Sequence, residues 1–334
     1  MTALALSDRR LPRVVALLGA LLLLGTFAPL SLYHPPRFTH AAVIAFDPVP
    51  LDEDAPQRSR IGSLVFLQGW ALRSDNPGFG GISALHVDGR RVTGLSDTGV
   101  LSRFDLPDGG AHAVRGRLDP LPDGPGPPTR KSNRDSESML VFDGHLWVGF
   151  ERHNEIWRYA SGDWHRESHA APPAMKHWPN NTGPEAMVRL DDGRFLLFAE
   201  NAPRGDGTSE VVLFDGDPAV PGTRTVTLGY RPPDGYRATD AALLPDGRIL
   251  ILNRRVSIWE GFSARLVLAA LPELASGAVI AGREIAALRS PVSVDNMEGL
   301  SVTQEAGRTI IWIVSDDNFF PLQRTLLLKF ALVD

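Results

Sequence analysis

Cysteine is absent from the 334-residue sequence, and lysine occurs at only three positions, Lys131, Lys176 and Lys329. The missing thiols exclude disulfide bonds, cysteine nucleophiles, thiolate metal sites and a lipid-modified cysteine. A basic excess is absent too, because the formal net charge is −5. Nucleic acid is therefore not expected as a partner.

Several catalytic motifs are also missing. The sequence has no G-x-S-x-G motif, since the nearest stretch, "GGISAL" at 80–85, has leucine where the second glycine would be. It also lacks an H-E-x-x-H motif, a P-loop and a G-x-G-x-x-G fingerprint. These absences argue against the serine-hydrolase, zinc-protease and nucleotide-binding sites that such motifs mark.

The first forty residues differ from the rest of the chain. Arg9, Arg10 and Arg13 give a basic start, and an uncharged apolar run follows from Val14 to Leu30. This order is typical of an export signal. The run is somewhat shorter than the ~20 residues that a membrane-spanning helix needs. We expect residues 1–40 to be an export signal or an uncleaved inner-membrane anchor formed by residues 14–30, with the protein in the periplasm or otherwise exported.

Five stretches of the sequence resemble one another. Each begins with a small or acidic residue, continues as a short apolar strand, turns at D-G or E-A-G, and returns as a more strongly apolar strand. They are "GGISALHVDGRRVTGLSDTG" (80–99), "DSESMLVFDGHLWVGFERHN" (135–154), "GPEAMVRLDDGRFLLFAEN" (183–201), "ATDAALLPDGRILILNRR" (238–255) and "NMEGLSVTQEAGRTIIWIVSDDN" (296–318).

A repeat of roughly 50 residues built from strands indicates a β-propeller, whose blades are four-stranded sheets. We predict that residues 41–334 form one monomeric all-β propeller with five blades, or six if residues 41–60 or an insertion contain a degenerate blade. The last repeat lacks its fourth strand. We expect residues 61–72 to supply it by pairing with the C-terminal strand at 324–332, which closes the ring and removes an open edge.

The first strand of each repeat carries a polar residue near its start. In a propeller these strands line the central channel, where facing carboxylates persist only if they are protonated or neutralised by a cation. Oxygen ligands favour Ca²⁺ or Mg²⁺, and many flexible carboxylates favour Ca²⁺. The alternative is that these residues only form hydrogen bonds between blades. The predicted metal ligands are Glu137, Glu185, Asp240 and Glu298, with Ser83 at the fifth position.

The second strands end in a matching polar set, Asp97, Glu151, Glu200, Arg254 and Asp316. An antiparallel hairpin brings the start of one strand and the end of the next to the same rim. We expect Glu151 or Glu200 to act as a general base and Arg254 to bind an anionic group. The alternative is that these residues only terminate strands and form ion pairs. The residues expected to contact substrate are Asp97, Lys131, Arg134, Asp316, Asp317 and Asn318.

The same segments resemble a known family, the bacterial phytase-like proteins, described as having the esterase-like activity of phytase. The resemblance spans residues 78 to 330, and its most specific parts are "N-x-E-G" at 296–299 and "SDDNF" at 315–319. It implies an exported propeller domain with repeated Glu and Asp, and its name implies a phosphoester hydrolase. Ser83 and Arg254 depart from the acidic pattern, so a metal site that used all five repeats would be incomplete.

Three functions follow from these observations. The first is a metal-dependent hydrolase of phosphate esters, in which Ca²⁺ binds phosphate oxygens and activates water while Arg254, Lys131 and Arg134 offset the phosphate charge. The second is a lactone hydrolase with one divalent ion at the channel. The third is a non-enzymatic exported propeller that binds a ligand or a partner. The expected ligand is a small anionic or ester molecule.

Overall fold

The computed structural model describes residues 38–110, 112–160, 162 and 164–333. The expected export signal or anchor lies, up to residue 37, outside the described residues. Within them, helical structure is confined to two single-turn 3-10 helices, Lys131–Asn133 and Pro173–Met175. No helix in this part of the chain is both long and apolar enough to cross a bilayer.

The remaining elements are strands, most of them in antiparallel groups of four that we call blades. The chain begins with β1 (Ala41–Pro48), β2 (Arg60–Ile61) and β3 (Leu64–Arg73). Blade 1 contains β4 (Ile82–Asp88), β5 (Arg91–Ser96), β6 (Val100–Asp105) and β7 (Ala113–Pro120). Blade 2 contains β8 (Ser136–Phe142), β9 (His145–Phe150), β10 (Glu155–Ala160) and β11 (Arg166–Ala170).

The C-terminal half continues the pattern. Blade 3 contains β12 (Pro184–Arg189), β13 (Phe195–Pro203), β14 (Ser209–Phe214) and β15 (Thr225–Tyr230). Blade 4 contains β16 (Arg237–Leu243), β17 (Ile249–Ser257), β18 (Gly261–Ala269) and, after the short β19 (Val279–Ile280) that pairs with β15, β20 (Arg283–Arg289). Blade 5 contains β21 (Asn296–Glu305), β22 (Arg308–Asp316) and β23 (Thr325–Leu332), with β3 as its fourth strand.

The ring closes as the sequence predicts. β3 pairs antiparallel with β23 along its length, from Leu72 opposite Thr325 to Leu64 opposite Leu332. The first strands contact one another in cyclic order, β4 with β8, then β12, β16 and β21, and β21 returns to β4. The all-β propeller fold is confirmed. Residues 41–48 form β1, which lies between β3 and β7 and joins the outer edges of blades 5 and 1.

The apolar cores lie between the blades. Each of five buried apolar clusters contains side chains from two successive blades. The cluster between blades 5 and 1 includes Trp312 of blade 5, Phe104 of blade 1 and Phe46 of β1. A strand that is covered on both faces has no solvent side, so its residues need not alternate between apolar and polar. This explains why the second strands are continuous apolar runs.

Every first strand has a β-bulge near its start. The pairing register shifts around one residue in each, and these residues are Ser83, Glu137, Glu185, Thr239 and Glu298. A bulge leaves its extra residue unpaired and redirects that side chain. The bulges therefore set one side chain per blade apart from the alternation of the sheet.

Candidate active site

The rim where first strands begin and second strands end is called the channel mouth here. Backbone hydrogen bonds fix it, because the N–H groups of Asp97 and Glu151 donate to the carbonyls of Gly81 and Asp135, at 2.9 and 2.8 Å. The structure therefore brings the two polar sets of the sequence together. The second-strand set occupies one equivalent position in all five blades and consists of Asp97, Glu151, Glu200, Arg254 and Asp316.

Two carboxylate groups at the mouth have the spacing of a cation site. Asp135, Glu137 and Glu151 each offer an oxygen within 4.8 Å of the others, and so do Glu151, Glu185 and Glu200. Calcium binds oxygen at 2.3–2.6 Å, so two ligand oxygens on one ion can be separated by up to about 5 Å. The spacing therefore fits one hard divalent cation in either group. Glu151 belongs to both.

The carboxylates of Glu137 and Glu185 are the most perturbed members of these groups. Among the described residues, neither side chain has an ion-pair or hydrogen-bond partner. Burial first, and then the neighbouring carboxylates, raise the pKa of both groups well above the ordinary value. The same causes raise the pKa of Glu151 to about 8. Protons or a cation must therefore compensate the negative charge at neutral pH.

Arg254 compensates the negative charge of the mouth between blades 3 and 5. Its two terminal nitrogens lie 3.0 Å from Glu200 Oε1 and 2.9 Å from Glu298 Oε1, so it joins blades 3 and 5 from its position on blade 4. Arg237 lies 3.4 Å from the other oxygen of Glu200 and leaves half of its side chain exposed. Burial raises the pKa of Glu298 to about 7, and Arg254 opposes that rise. The paired carboxylates are thus anchored rather than free.

A second network lies at blades 1 and 2. Lys131 Nζ is 2.7 Å from Asp97 Oδ2 and 2.9 Å from Asp135 Oδ1, and Arg152 reaches the other oxygen of Asp135 at 2.6 Å. Lys131 is one-third exposed, so a cationic group faces the mouth. The other oxygen of Asp97, Oδ1, is buried and has no hydrogen-bond partner in the part of the chain that the structure describes.

Sequence reasoning missed Asp135, Arg152, Arg237 and Asn296. Asp135, Arg237 and Asn296 share one position, two residues before the bulge, with Gly81 and Gly183 in the other blades. An alignment of the five repeats would have shown three polar residues and two glycines at this position, and so a polar position at the mouth. Arg152 follows Glu151 directly, and only the fold shows that it turns back toward Asp135.

Asp240 does not join the carboxylates with which the sequence grouped it. The bulge residue of blade 4 is Thr239, so the alignment of the repeats by sequence was displaced by one residue in this blade. The Asp240 oxygens accept hydrogen bonds from the N–H groups of Leu300 and Ala241, at 2.6 and 2.8 Å. Asp240 therefore connects blade 4 to blade 5 and lies in neither carboxylate group.

Ser83 and Thr239 show the inter-blade alternative that the sequence left open. The Ser83 hydroxyl lies 2.7 Å from the carbonyl of Ser136, and the Thr239 hydroxyl lies 3.2 Å from that of Met297. Each hydroxyl donates to the first strand of the next blade. The bulge position is therefore a polar contact between blades when it carries a hydroxyl, and faces the acidic groups when it carries Glu137 or Glu185.

Three of the residues expected to contact substrate instead form hydrogen bonds within the rim. Arg134 is buried and donates to the carbonyls of Pro125 and Asn133, so it holds the preceding loop instead of facing the mouth. Asp317 accepts from the Gly81 N–H and the Thr325 hydroxyl, at 2.8 and 2.9 Å. The Asn318 side chain donates to Gln323. These contacts make the three residues structural parts of the rim.

Asp316 differs from these three. It is buried at the second-strand position, and its Oδ1 accepts from the backbone N–H of Asn318 at 2.6 Å. Burial, followed by Glu298 and Asp97, raises the pKa of Asp316 well above its usual value. The raised pKa favours the protonated, neutral form of Asp316.

Comparison with known proteins gives one family. The family model of phytase-like proteins, described as "esterase-like activity of phytase", matches residues 77–319. The matched stretch begins just before blade 1 and includes both carboxylate groups of the mouth. A comparison with the curated proteins finds no match.

Solved structures with similar backbones come from proteins with different descriptions. They include glutaminyl cyclase from Myxococcus xanthus, with 10% identity, a TM-score of 0.45, and coverage of 81% of this chain and 97% of that one. The PQQ-bound aldose sugar dehydrogenase of Streptomyces coelicolor has 13% identity, a TM-score of 0.47, and coverage of 82% and 99%. The Cps50 (Swd1) β-propeller domain of Myceliophteria thermophila has 10% identity, a TM-score of 0.40, and coverage of 90% and 98%.

Proposed function

Because this chain belongs to the phytase-like family, we propose that it is a divalent-cation-dependent hydrolase of phosphate esters whose site is the acidic channel mouth. The observation that carries the proposal is the pair of three-carboxylate groups that share Glu151. Glu185 is buried and Glu137 is partly buried, and neither has a partner side chain within the described residues.

The proposed cation is Ca²⁺. Glu151 would hold it together with Asp135 and Glu137 or with Glu185 and Glu200. The donor set fits, because it consists of carboxylate oxygens, which hard cations prefer over nitrogen and sulfur ligands. A bound divalent cation supplies Lewis-acid polarisation of a phosphoryl oxygen and a more acidic water. Asp240 and Glu298, which the sequence suggested as further ligands, are assigned to inter-blade contact and to the Arg254 ion pair.

The cationic side chains would bind the substrate. Arg237 on blade 4 and Lys131 just before blade 2 are partly exposed and already lie next to carboxylates. A phosphate group is bound well by guanidinium donors in bidentate geometry. We assign Arg237 and Lys131 to phosphate binding, and Arg254 to the positioning of Glu200, which it holds at 3.0 Å. Glu200 is then the candidate base when the cation lies in the group of Asp135 and Glu137.

The test combines calcium binding with turnover. The full chain is titrated with Ca²⁺ by calorimetry and assayed with p-nitrophenyl phosphate, bis-p-nitrophenyl phosphate and a lactone, with and without EGTA. We expect one calcium-binding site, turnover of a phosphate ester that EGTA abolishes, and loss of both in Glu151→Gln. A comparison of Glu137→Gln with Glu185→Gln identifies which carboxylate group holds the ion.

Two other outcomes would replace the proposal. Calcium-dependent turnover of the lactone alone would make the protein a lactone hydrolase with the same cation site. Calcium binding that raises the melting temperature, with no turnover of any ester, would make it a binding propeller with a structural ion. Export and membrane anchoring through residues 14–30 are separate proposals, and they rest on the amino-terminal sequence.

A further inference from the structure

Exposed apolar side chains are concentrated at the channel mouth. Among the described residues nine large apolar side chains are exposed, and five of them lie in or next to the β17–β18 and β22–β23 connections on the mouth side of blades 4 and 5. We call these five the apolar rim; they are Val256, Ile258, Trp259, Phe319 and Leu322. The most exposed are Trp259 at 83% and Leu322 at 72%.

The blade 4 hairpin extends beyond the mouth. Its two strands stay paired past Arg254, up to Ser257 opposite Gly261. Three further residues of strand add about 10 Å at ~3.3 Å per residue. The tip, which carries Ile258 and Trp259, therefore projects above the mouth. Arg255 and Glu260 form an ion pair beside it, so the tip adds no net charge.

The chain enters the fold on the same side. Phe38, the first described residue, packs against Gly78, and the Asn76 side chain donates to the Thr39 carbonyl at 2.8 Å. Asn76 and Gly78 lie in the connection between β3 and β4, and β4 begins at the mouth. Phe38 therefore lies on the mouth face of the propeller.

These observations share one explanation. We propose that the mouth face of the propeller docks on the surface of a lipid bilayer through the apolar rim. Tryptophan is favoured at the boundary between acyl chains and water, and isoleucine and leucine beside it would enter the outer acyl region. Burial in lipid removes from water the apolar surface that the tip exposes.

The amino-terminal sequence fits this orientation. The apolar run that ends at Leu30 is separated from Phe38 by seven residues. Seven extended residues span at most about 25 Å. If the apolar run lies in a bilayer, the mouth face must lie within that distance of the membrane. The neutral tip points to zwitterionic lipid rather than to a requirement for anionic lipid. The proposal does not depend on the hydrolase function.

Tryptophan fluorescence tests the proposal because one indole is set apart from the rest. The chain contains seven tryptophans, of which Trp259 is exposed and the other six, Trp70, Trp147, Trp157, Trp164, Trp178 and Trp312, are buried. The full chain is mixed with phosphatidylcholine vesicles that carry bromine on the acyl chains, which quench indoles located in the membrane. We expect part of the emission to be quenched relative to unbrominated vesicles, and this quenching to disappear in Trp259→Ser.

A second variant pair separates docking from attachment by the amino-terminal run alone. Ile258→Ser with Leu322→Ser should reduce the quenching of Trp259, whereas Val220→Ser, a change of an exposed apolar residue on a connection at the opposite end of blade 3, should leave it unchanged. The proposal is overturned if brominated lipid does not quench Trp259, whether or not the chain associates with the vesicles. A second result would also overturn it: emission of Trp259 that is already blue-shifted without lipid, together with conversion of a dimer to a monomer by Trp259→Ser. The apolar rim would then be covered by a second copy of the chain rather than by lipid.

Discussion

Replacing Glu185 by glutamine should have opposite consequences in the presence and absence of calcium. Glu185 is 6% exposed and lies in a three-carboxylate group with Glu151 and Glu200. Without a cation, burial and its neighbours raise its pKa, so the protonated form is favoured. Glutamine resembles that neutral form in shape. We expect Glu185→Gln to leave the free energy of unfolding unchanged or to increase it when calcium is removed.

The size of the expected change in the free energy of unfolding follows from the spacing of the carboxylates. Two ionised carboxylates with oxygens within 4.8 Å of each other would repel by at least about 3 kcal/mol at an effective dielectric constant of ~20. Glutamine removes that repulsion, and a bound cation offsets it in the wild type. Calcium at about 100 times its dissociation constant stabilises the folded state by about 2.7 kcal/mol. Loss of a ligand reduces this gain by about 1.4 kcal/mol for each tenfold weakening of binding.

Asp240→Asn is the matched control. It is also a buried carboxylate, and it was one of the ligands suggested by sequence, but its oxygens accept two backbone N–H groups and it lies outside both carboxylate groups. An amide can accept through one oxygen only, so we expect a loss of about 1–3 kcal/mol. The loss should be equal with and without calcium, because the cation site is unchanged.

The assay is chemical unfolding of the wild type and the two variants, in EGTA and in excess Ca²⁺. Calcium should stabilise the wild type and the Asp240→Asn variant equally, and the Glu185→Gln variant less. The reasoning is refuted if calcium does not stabilise the wild type, or if Glu185→Gln keeps the full gain. It is also refuted if Asp240→Asn loses the gain to the same extent as Glu185→Gln, because the bulge register would then have been assigned wrongly.

Three other outcomes follow from the same contacts. Arg254→Met should lower the free energy of unfolding by about 3–5 kcal/mol at pH 8, because it removes the buried ion-pair partner that Glu200 and Glu298 share. Urea titration should find a smaller loss at pH 5.5, where Glu298 is protonated. In metal-stripped wild type, the free energy of unfolding should fall as pH rises from about 5 to 8. The folded-state pKa of Glu151, about 8, lies above the unfolded value, so the folded state binds more protons in this pH range. A melting temperature that rises over the same range would contradict the raised pKa of Glu151. Ser83→Ala should cost about 1 kcal/mol through the lost inter-blade hydrogen bond, and calorimetry should find its calcium affinity equal to that of the wild type.

The repeats made the fold predictable. Turn residues and apolar strand pairs recur five times, and the orphan strand at residues 61–72 had to pair with the C-terminal strand if the ring was to close. The second-strand positions were predictable for the same reason. Glu151 and Glu200 lie at the same place in the pattern, one residue beyond the last pair that each second strand forms with its first strand.

The first-strand positions were less predictable, because their alignment depends on a bulge. A bulge adds a residue to one strand only, and no single residue type marks it. In blade 4 the sequence "ATDAAL" offers both Thr239 and Asp240, and the acid looked like the better match to Glu137 and Glu185. The strand pairing shows that Thr239 is the bulge residue. A one-residue error changes the direction in which a strand side chain points, which is why Asp240 lies outside the cluster.

The departures from the acidic pattern determine where a cation would bind. If all five second strands ended in an acid, the charge would be spread evenly around the channel and no position would be favoured. Arg254 breaks this symmetry, because it pairs with the acids on both neighbouring blades, Glu200 and Glu298. Lys131 pairs with Asp97 on blade 1. Among the described residues, three mouth carboxylates without an ion pair, Glu137, Glu151 and Glu185, lie on blades 2 and 3, whereas the unpaired Asp316 on blade 5 accepts the backbone N–H of Asn318. In the proposed function the cation would therefore bind near blades 2 and 3, where the half-exposed Arg237 beside Glu200 would attract the negative group of a substrate.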